Sequence, residues 1–217
     1  MRLGVFGGSF DPPHVGHLLV AQDAIAALSL DRLMVVPTGT QPLKQRHRTD
    51  AIHRLAMVQR CFEGVAHAEV DPIEVDRGGL SFMVDTVDHY RTQFPAAVIH
   101  LLIGDDVVAT LPRWRDAERL LAMVELVILT RASAPVGDAP PYPLSEPLGC
   151  SDTSLPGNAS ARRLATRRVD VSSTEIRERV RRGLSIKGFV PDAVAHYIAS
   201  TALYSGERAT VDYPVRA

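Results

Sequence analysis

The chain is 217 residues long, a length suited to one domain around a single sizeable core. Hydrophobic residues make up 46% and charged residues 23% of it, which excludes a disordered chain, a collagen-like repeat or a coiled coil. A formal net charge of -1 removes the electrostatic basis for general nucleic-acid or membrane-surface binding, and the distant pair Cys61 and Cys150 indicates neither a disulfide framework nor a cysteine zinc site.

In chain order, an apolar run at residues 3–6 leads into Gly7-Gly8, and Asp11 interrupts any signal-peptide pattern. Leu18, Ala21, Ile25 and Leu28 then recur at helical spacing. A second run at residues 33–36 ends at Pro37-Thr38, and Ile52, Leu55 and Phe62 mark the next helix. Further runs at residues 98–103 and 124–129 end at Gly104-Asp105-Asp106 and Thr130-Arg131. Such short runs suit strands buried on both faces, and none approaches the roughly 20 residues that span a bilayer. A cytoplasmic protein is expected.

The β-α-β alternation predicts an α/β fold, a doubly wound parallel sheet with ligands beyond the carboxyl ends of its strands. Residues 132–166, rich in Pro, Gly, Ser and Ala, read as a long irregular connection. A short last strand is expected at residues 169–171, helices at 173–182 and 192–200, and a loose tail at 206–217. The chain thus reads as a single domain over 1–217, with its core at 1–171 and a small helical C-terminal part at 172–205.

The strand ends carry the unusual residues. Gly7-Gly8 lets a backbone approach a ligand, and the helix that follows aims its first N–H groups at an anion. His14 and His17 are three apart and share a helical face, with Gly16 keeping the space between them open. They could donate to phosphate oxygens, or simply cap the helix. Neither the Walker sequence nor G-x-G-x-x-G is matched, and no further Cys or His stands at metal-ligand spacing.

Ser172 and Glu175 have capping-box spacing, so a second helix start with free N–H groups, Ser173, Thr174 and nearby Arg177 is expected; a well-capped amphipathic helix explains the same pattern. Lys44 lies in the loop after the second run, placed either to reach a phosphate or to sit in solvent. Trp114, the single tryptophan, suits stacking on an aromatic ring or ordinary packing.

In combination, GGSFDPPHVGH (residues 7–17), VPTGTQPLK (36–44), IGDD (103–106), SSTEIR (172–177) and the closing VPDAVAHYI…LY resemble the nicotinate mononucleotide adenylyltransferases, a family with an H-x-G-H loop after its first strand. The resemblance implies a Rossmann-like fold and attack of the mononucleotide phosphate on the α-phosphorus of ATP, with Mg²⁺ carried by ATP and no metal held by protein side chains. It implies His14, His17, Lys44 and Arg177 as the catalytic set, with Gly7, Gly8, Ser9, Phe10, Gly16, Ser173, Thr174 and Ile176 binding ATP. It assigns Met83, Thr86, Gly104, Asp106, Trp114 and Arg131 to the mononucleotide and dinucleotide.

Met83 stands where the family has a hydroxyl residue, which opens nicotinamide mononucleotide or another small phosphate acceptor as alternatives to nicotinate mononucleotide. The phosphopantetheine adenylyltransferases share the loop but are shorter, and nothing reads as the tRNA-binding part of a synthetase. A non-catalytic nucleotide-binding regulator is the rival from another class. ATP and nicotinate mononucleotide are the expected partners, without nucleic acid or membrane and with homo-oligomerisation left open.

Overall fold

The computed structural model describes residues 1–42, 49–131 and 161–206, apart from the Arg131 side chain. Among them, β1 (Arg2–Gly8), β2 (Arg32–Pro37), β3 (Ala68–Val70), β4 (Val98–Gly104), β5 (Glu125–Arg131) and β6 (Ala161–Thr166) form one parallel sheet. Their order is β3-β2-β1-β4-β5-β6, the doubly wound order whose direction reverses between β1 and β4. The helices are α1 (Val15–Leu28), α2 (Ala51–Phe62), α3 (Ile73–Arg77), α4 (Met83–Gln93), α5 (Asp105–Val108), α6 (Ala117–Met123), α7 (Ser173–Arg181) and α8 (Asp192–Ser200). None is long and apolar enough to cross a membrane.

Strand alternation divides the apolar residues between two cores. On one face Phe6, Leu33, Val35, Leu102 and Val127 pack with Ala21 and Ala24 of α1, Met57 and Val58 of α2, Ile176 of α7 and Val194 of α8. On the other, Leu3, Val5, Met34, Leu101 and Ile128 pack with Val84 and Val87 of α4 and Leu120 of α6. Each such side chain contributes about 1.5–3 kcal/mol on burial, so a continuous apolar run is what a strand covered on both faces requires.

Two edge strands depart from the sequence expectations. The irregular connection expected over residues 132–166 ends in β6, and residues 169–171 form no strand. Arg162 and Arg163 break the apolar run in β6, which among the described residues pairs with β5 alone and so can carry charge at the sheet edge. At the opposite edge, β3 is too short to register as a run. Ile52, taken as part of the apolar face of α2, is 63% exposed. Residues 132–160 and 207–217, with Cys150 and most of the expected tail, lie outside the described residues.

The buried His100 of β4 has Nδ1 3.4 Å from Glu125 Oε2. Burial, with Arg2 and Arg162 adding to it against the pull of Glu125, holds its pKa below the ordinary histidine value of 6.5. Between that folded pKa and 6.5 the unfolded chain binds a proton that the folded chain refuses, so stability is lost as pH falls through this window. Urea titrations should show unfolding free energy dropping from about pH 7 to about pH 5.5, by at most about 1.4 kcal/mol per pH unit for each such histidine. His100→Gln should flatten the slope, and an unchanged slope would assign the dependence to other groups.

Candidate active site

The first phosphate motif begins where β1 runs out. The Gly8 carbonyl accepts from the Thr38 backbone N–H at 2.9 Å and from Thr38 Oγ1 at 3.1 Å, which locks the ends of β1 and β2 together. Phe10 takes a left-handed φ of 47° and turns its ring into the core, edge-on to Phe6 and His17 with centroids 5.6 and 5.0 Å away. A Cβ on Gly8 would lie 2.9 Å from that ring, so the chain needs glycine there. Phe10, assigned to ATP, is therefore a wedge beneath the loop, since burial keeps its side chain from any ligand above.

His14 is the N-cap of α1 and His17 its third residue, with their rings 3.8 Å apart between centroids. The His14 backbone N–H donates to His17 Nδ1 at 3.2 Å. The bond gives the pair a helix-capping role. A neutral imidazole that accepts at Nδ1 carries its proton on Nε2, which makes His17 a fixed donor at the far side of its ring. Burial, and secondarily the charge of His14, push the His17 pKa well below the histidine range and keep this neutral form. A Cβ on Gly16 would stand 2.9 Å from His14 Nδ1, so glycine is needed for the two rings to lie so close.

The second motif folds onto the first. Ser172 caps α7 by accepting from the Glu175 N–H at 3.1 Å, as its spacing predicts. Ser173 Oγ donates to the Pro12 carbonyl at 2.8 Å, and Arg177 Nη1 to the Asp11 carbonyl at 2.5 Å. Arg177 Nη2 also donates to Thr174 Oγ1 at 3.0 Å, while the Tyr204 hydroxyl donates to Asp11 Oδ1 at 2.7 Å. Two helix N-termini and their hydroxyls thus border one loop at the carboxyl end of β1, a ready anion site. Ile176, assigned to ATP, is wholly buried and its N–H bonds to the Ser172 carbonyl at 3.1 Å, so it anchors α7 in the core.

A cavity of about 450 Å³ opens beside the loop, walled by Phe82, Met83, Asp106 and Trp114 among others. Trp114 Nε1 donates to Thr110 Oγ1 at 3.0 Å, which fixes the indole at the cavity wall. Asp106 lines the cavity, whereas Asp105 pairs with Arg163 Nη1 at 3.0 Å. Gly104 permits this, since a Cβ there would meet Asp106 Oδ1 at 2.5 Å. Thr86, expected near the pyridine substituent, is wholly buried and away from the cavity wall; its hydroxyl donates to Glu74 Oε1 at 2.8 Å and accepts from Arg77 Nη2 at 2.9 Å. A larger surface cleft of about 800 Å³ is rimmed by Asp71, Asp76, Asp85 and Asp88 and shares no residue with either phosphate motif.

The structure thus brings His14, His17, Gly7, Gly8, Ser9, Gly16, Ser173, Thr174 and Arg177 around one loop, with Met83, Gly104, Asp106 and Trp114 at the adjoining strand end. Lys44 and the Arg131 side chain lie outside the described residues. The sequence reading missed Arg54, which is wholly buried and donates to the carbonyls of Ser9 at 2.9 Å, Gly39 at 2.7 Å and Thr49 at 3.2 Å. Its signal was present, because Arg54 shares a helical stripe with Met57, Val58 and Cys61, where a charge demands partners.

Facing helix N-termini beyond the carboxyl ends of a doubly wound sheet define a nucleotide-binding α/β protein, and residues 5–179 match the Cytidylyltransferase-like family. A probable nicotinate-nucleotide adenylyltransferase of Gemmatimonas aurantiaca is 62% identical over 204 residues, covering 94% of this chain and 92% of that one. One of Albidiferax ferrireducens is 39% identical over 203 residues, covering 94% and 98%. The chain belongs to this cytidylyltransferase-like family of nicotinate-nucleotide adenylyltransferases. The fold is shared with the Plasmodium falciparum nicotinic acid mononucleotide adenylyltransferase complexed with NaAD, at a TM-score of 0.70 and 18% identity over 94% of this chain and 97% of that one.

Proposed function

We propose that the chain transfers the adenylyl group of ATP to nicotinate mononucleotide, forming nicotinate adenine dinucleotide and pyrophosphate. The observation that carries this reading is the clasp of Arg177 and Ser173 on the carbonyls of Asp11 and Pro12, which sets both anion-binding helix starts beside an aromatic-walled cavity. A mononucleotide phosphate oxygen attacks the α-phosphorus, the new P–O bond forms as the bond to the β-phosphate breaks, and pyrophosphate leaves with the electron pair. The protein supplies position and charge stabilisation, with no covalent intermediate. The His17 Nε2–H, the N–H groups at the starts of α1 and α7 and the Arg177 guanidinium take the phosphate oxygens, while the base ring of the mononucleotide lies against Trp114.

Mg²⁺ carried by ATP would supply charge neutralisation on the triphosphate. The loop offers imidazole nitrogen where Mg²⁺ prefers oxygen, which supports an ion held by the triphosphate oxygens and not by His14 or His17. A cytoplasmic setting belongs to the same proposal. Incubation with ATP, Mg²⁺ and each pyridine mononucleotide, following dinucleotide and pyrophosphate, tests it. Product from nicotinate mononucleotide is expected, and ATP binding with no product from either mononucleotide would point to a regulator. The apolar Met83 at the cavity wall favours nicotinamide mononucleotide as the second reading.

A further inference from the structure

We propose that Arg115 sets the preference for the acid form of the pyridine, its guanidinium receiving the ring carboxylate of nicotinate mononucleotide at the mouth of the Trp114 cavity. This rests on the adenylyl-transfer reading and names the residue that selects the acceptor.

The cavity suits a flat ring, with the rings of Trp114 and Phe82 and the thioether of Met83 in its wall. Side-chain donors for a ring substituent are scarce there. Met83 has none, Thr38 and Thr110 donate to the carbonyls of Gly8 and Val107, Trp114 Nε1 donates to Thr110 Oγ1, the Ser81 hydroxyl accepts from the Gly39 N–H at 3.1 Å, and Gln41 accepts from the Ser9 hydroxyl. Arg113 and Arg115 supply the cationic donors of the wall.

Arg115 is the one held in place. Its Cζ lies 4.1 Å over the Phe82 ring, Nη2 donates to Asp85 Oδ1, and Nε is 3.9 Å from Asp116 Oδ2. Those contacts leave Nη1 for a ligand. Arg77 also approaches Asp85, at 3.9 Å, so two guanidiniums share that carboxylate. Phe82 is also the N-cap of α4, so the guanidinium stacks where that helix presents its first N–H groups. A ring carboxylate reaching this point gains a charge-assisted hydrogen bond that a neutral carboxamide does not match.

Arg115 is an exposed side chain, so Arg115→Gln should fold normally. With nicotinate mononucleotide, its KM should rise about 10- to 100-fold, while the KM for ATP and the weaker use of nicotinamide mononucleotide stay as in the wild type. Arg115→Lys should recover part of the preference. An acid-to-amide ratio of kcat/KM unchanged in Arg115→Gln, or one lost in Arg113→Gln instead, overturns the assignment. Trp114 is the single tryptophan, so quenching of its fluorescence measures binding of each mononucleotide apart from turnover. If the wild type makes no dinucleotide but binds the acid preferentially, and Arg115→Gln loses that preference, the reaction reading falls and the role of Arg115 stands. Equal binding of both mononucleotides by wild type and variant defeats the role of Arg115.

Discussion

His17→Ala is expected to lose at least about 10²-fold in kcat while the protein stays folded, the scale on which a single preorganised transition-state donor acts. The donor is the Nε2–H, aimed by the bond that Nδ1 accepts from the His14 backbone at 3.2 Å. Burial keeps the ring neutral, so its contribution does not depend on protonation near neutral pH. Losing Nδ1 also removes a cap from α1, at a cost of about 1 kcal/mol to stability. His17→Gln restores an N–H at similar reach and should recover part of kcat. Steady-state kinetics beside a urea midpoint separate the two effects, and near-normal turnover in His17→Ala would remove His17 from the catalytic set.

Arg54→Ala is expected to cost about 3–5 kcal/mol of unfolding free energy, the range for breaking a buried charged network. One guanidinium there satisfies carbonyls from the loop after β1, the loop after β2 and the start of α2. Deleting it leaves two buried acceptors and the part-buried Ser9 carbonyl without this donor, and a void in the core. Arg54→Lys keeps the charge, yet an ammonium lacks the planar fork that reaches three directions and should recover less than half of the loss. Chemical denaturation measures both, and a cost below about 1 kcal/mol for Arg54→Ala would mean that water replaces the guanidinium.

The strands and motifs carried by local signals were legible without coordinates. Four apolar runs became β1, β2, β4 and β5, because a strand covered on both faces must be apolar throughout. Ser172 and Glu175 announced the start of α7 by spacing alone. The edge strands were not legible, since Ala68–Val70 is too short and the arginines of Ala161–Thr166 hide a strand that has one neighbour among the described residues. That the side chains of Phe10 and Ile176, both assigned to ATP, are buried was not legible, because a motif records which residues occur together and not which way they face.

By itself the sequence determined the α/β class, the parallel sheet and the presence of two candidate phosphate motifs, since periodicity, capping and glycine placement are local properties of the chain. Only the tertiary structure decided that Arg177 and Ser173 close on Asp11 and Pro12, that Arg54 ties three segments and that Thr86 serves Glu74. Those partners lie as many as 166 positions apart, and which of them meet is set by how the sheet orders its strands and how the helices pack across it.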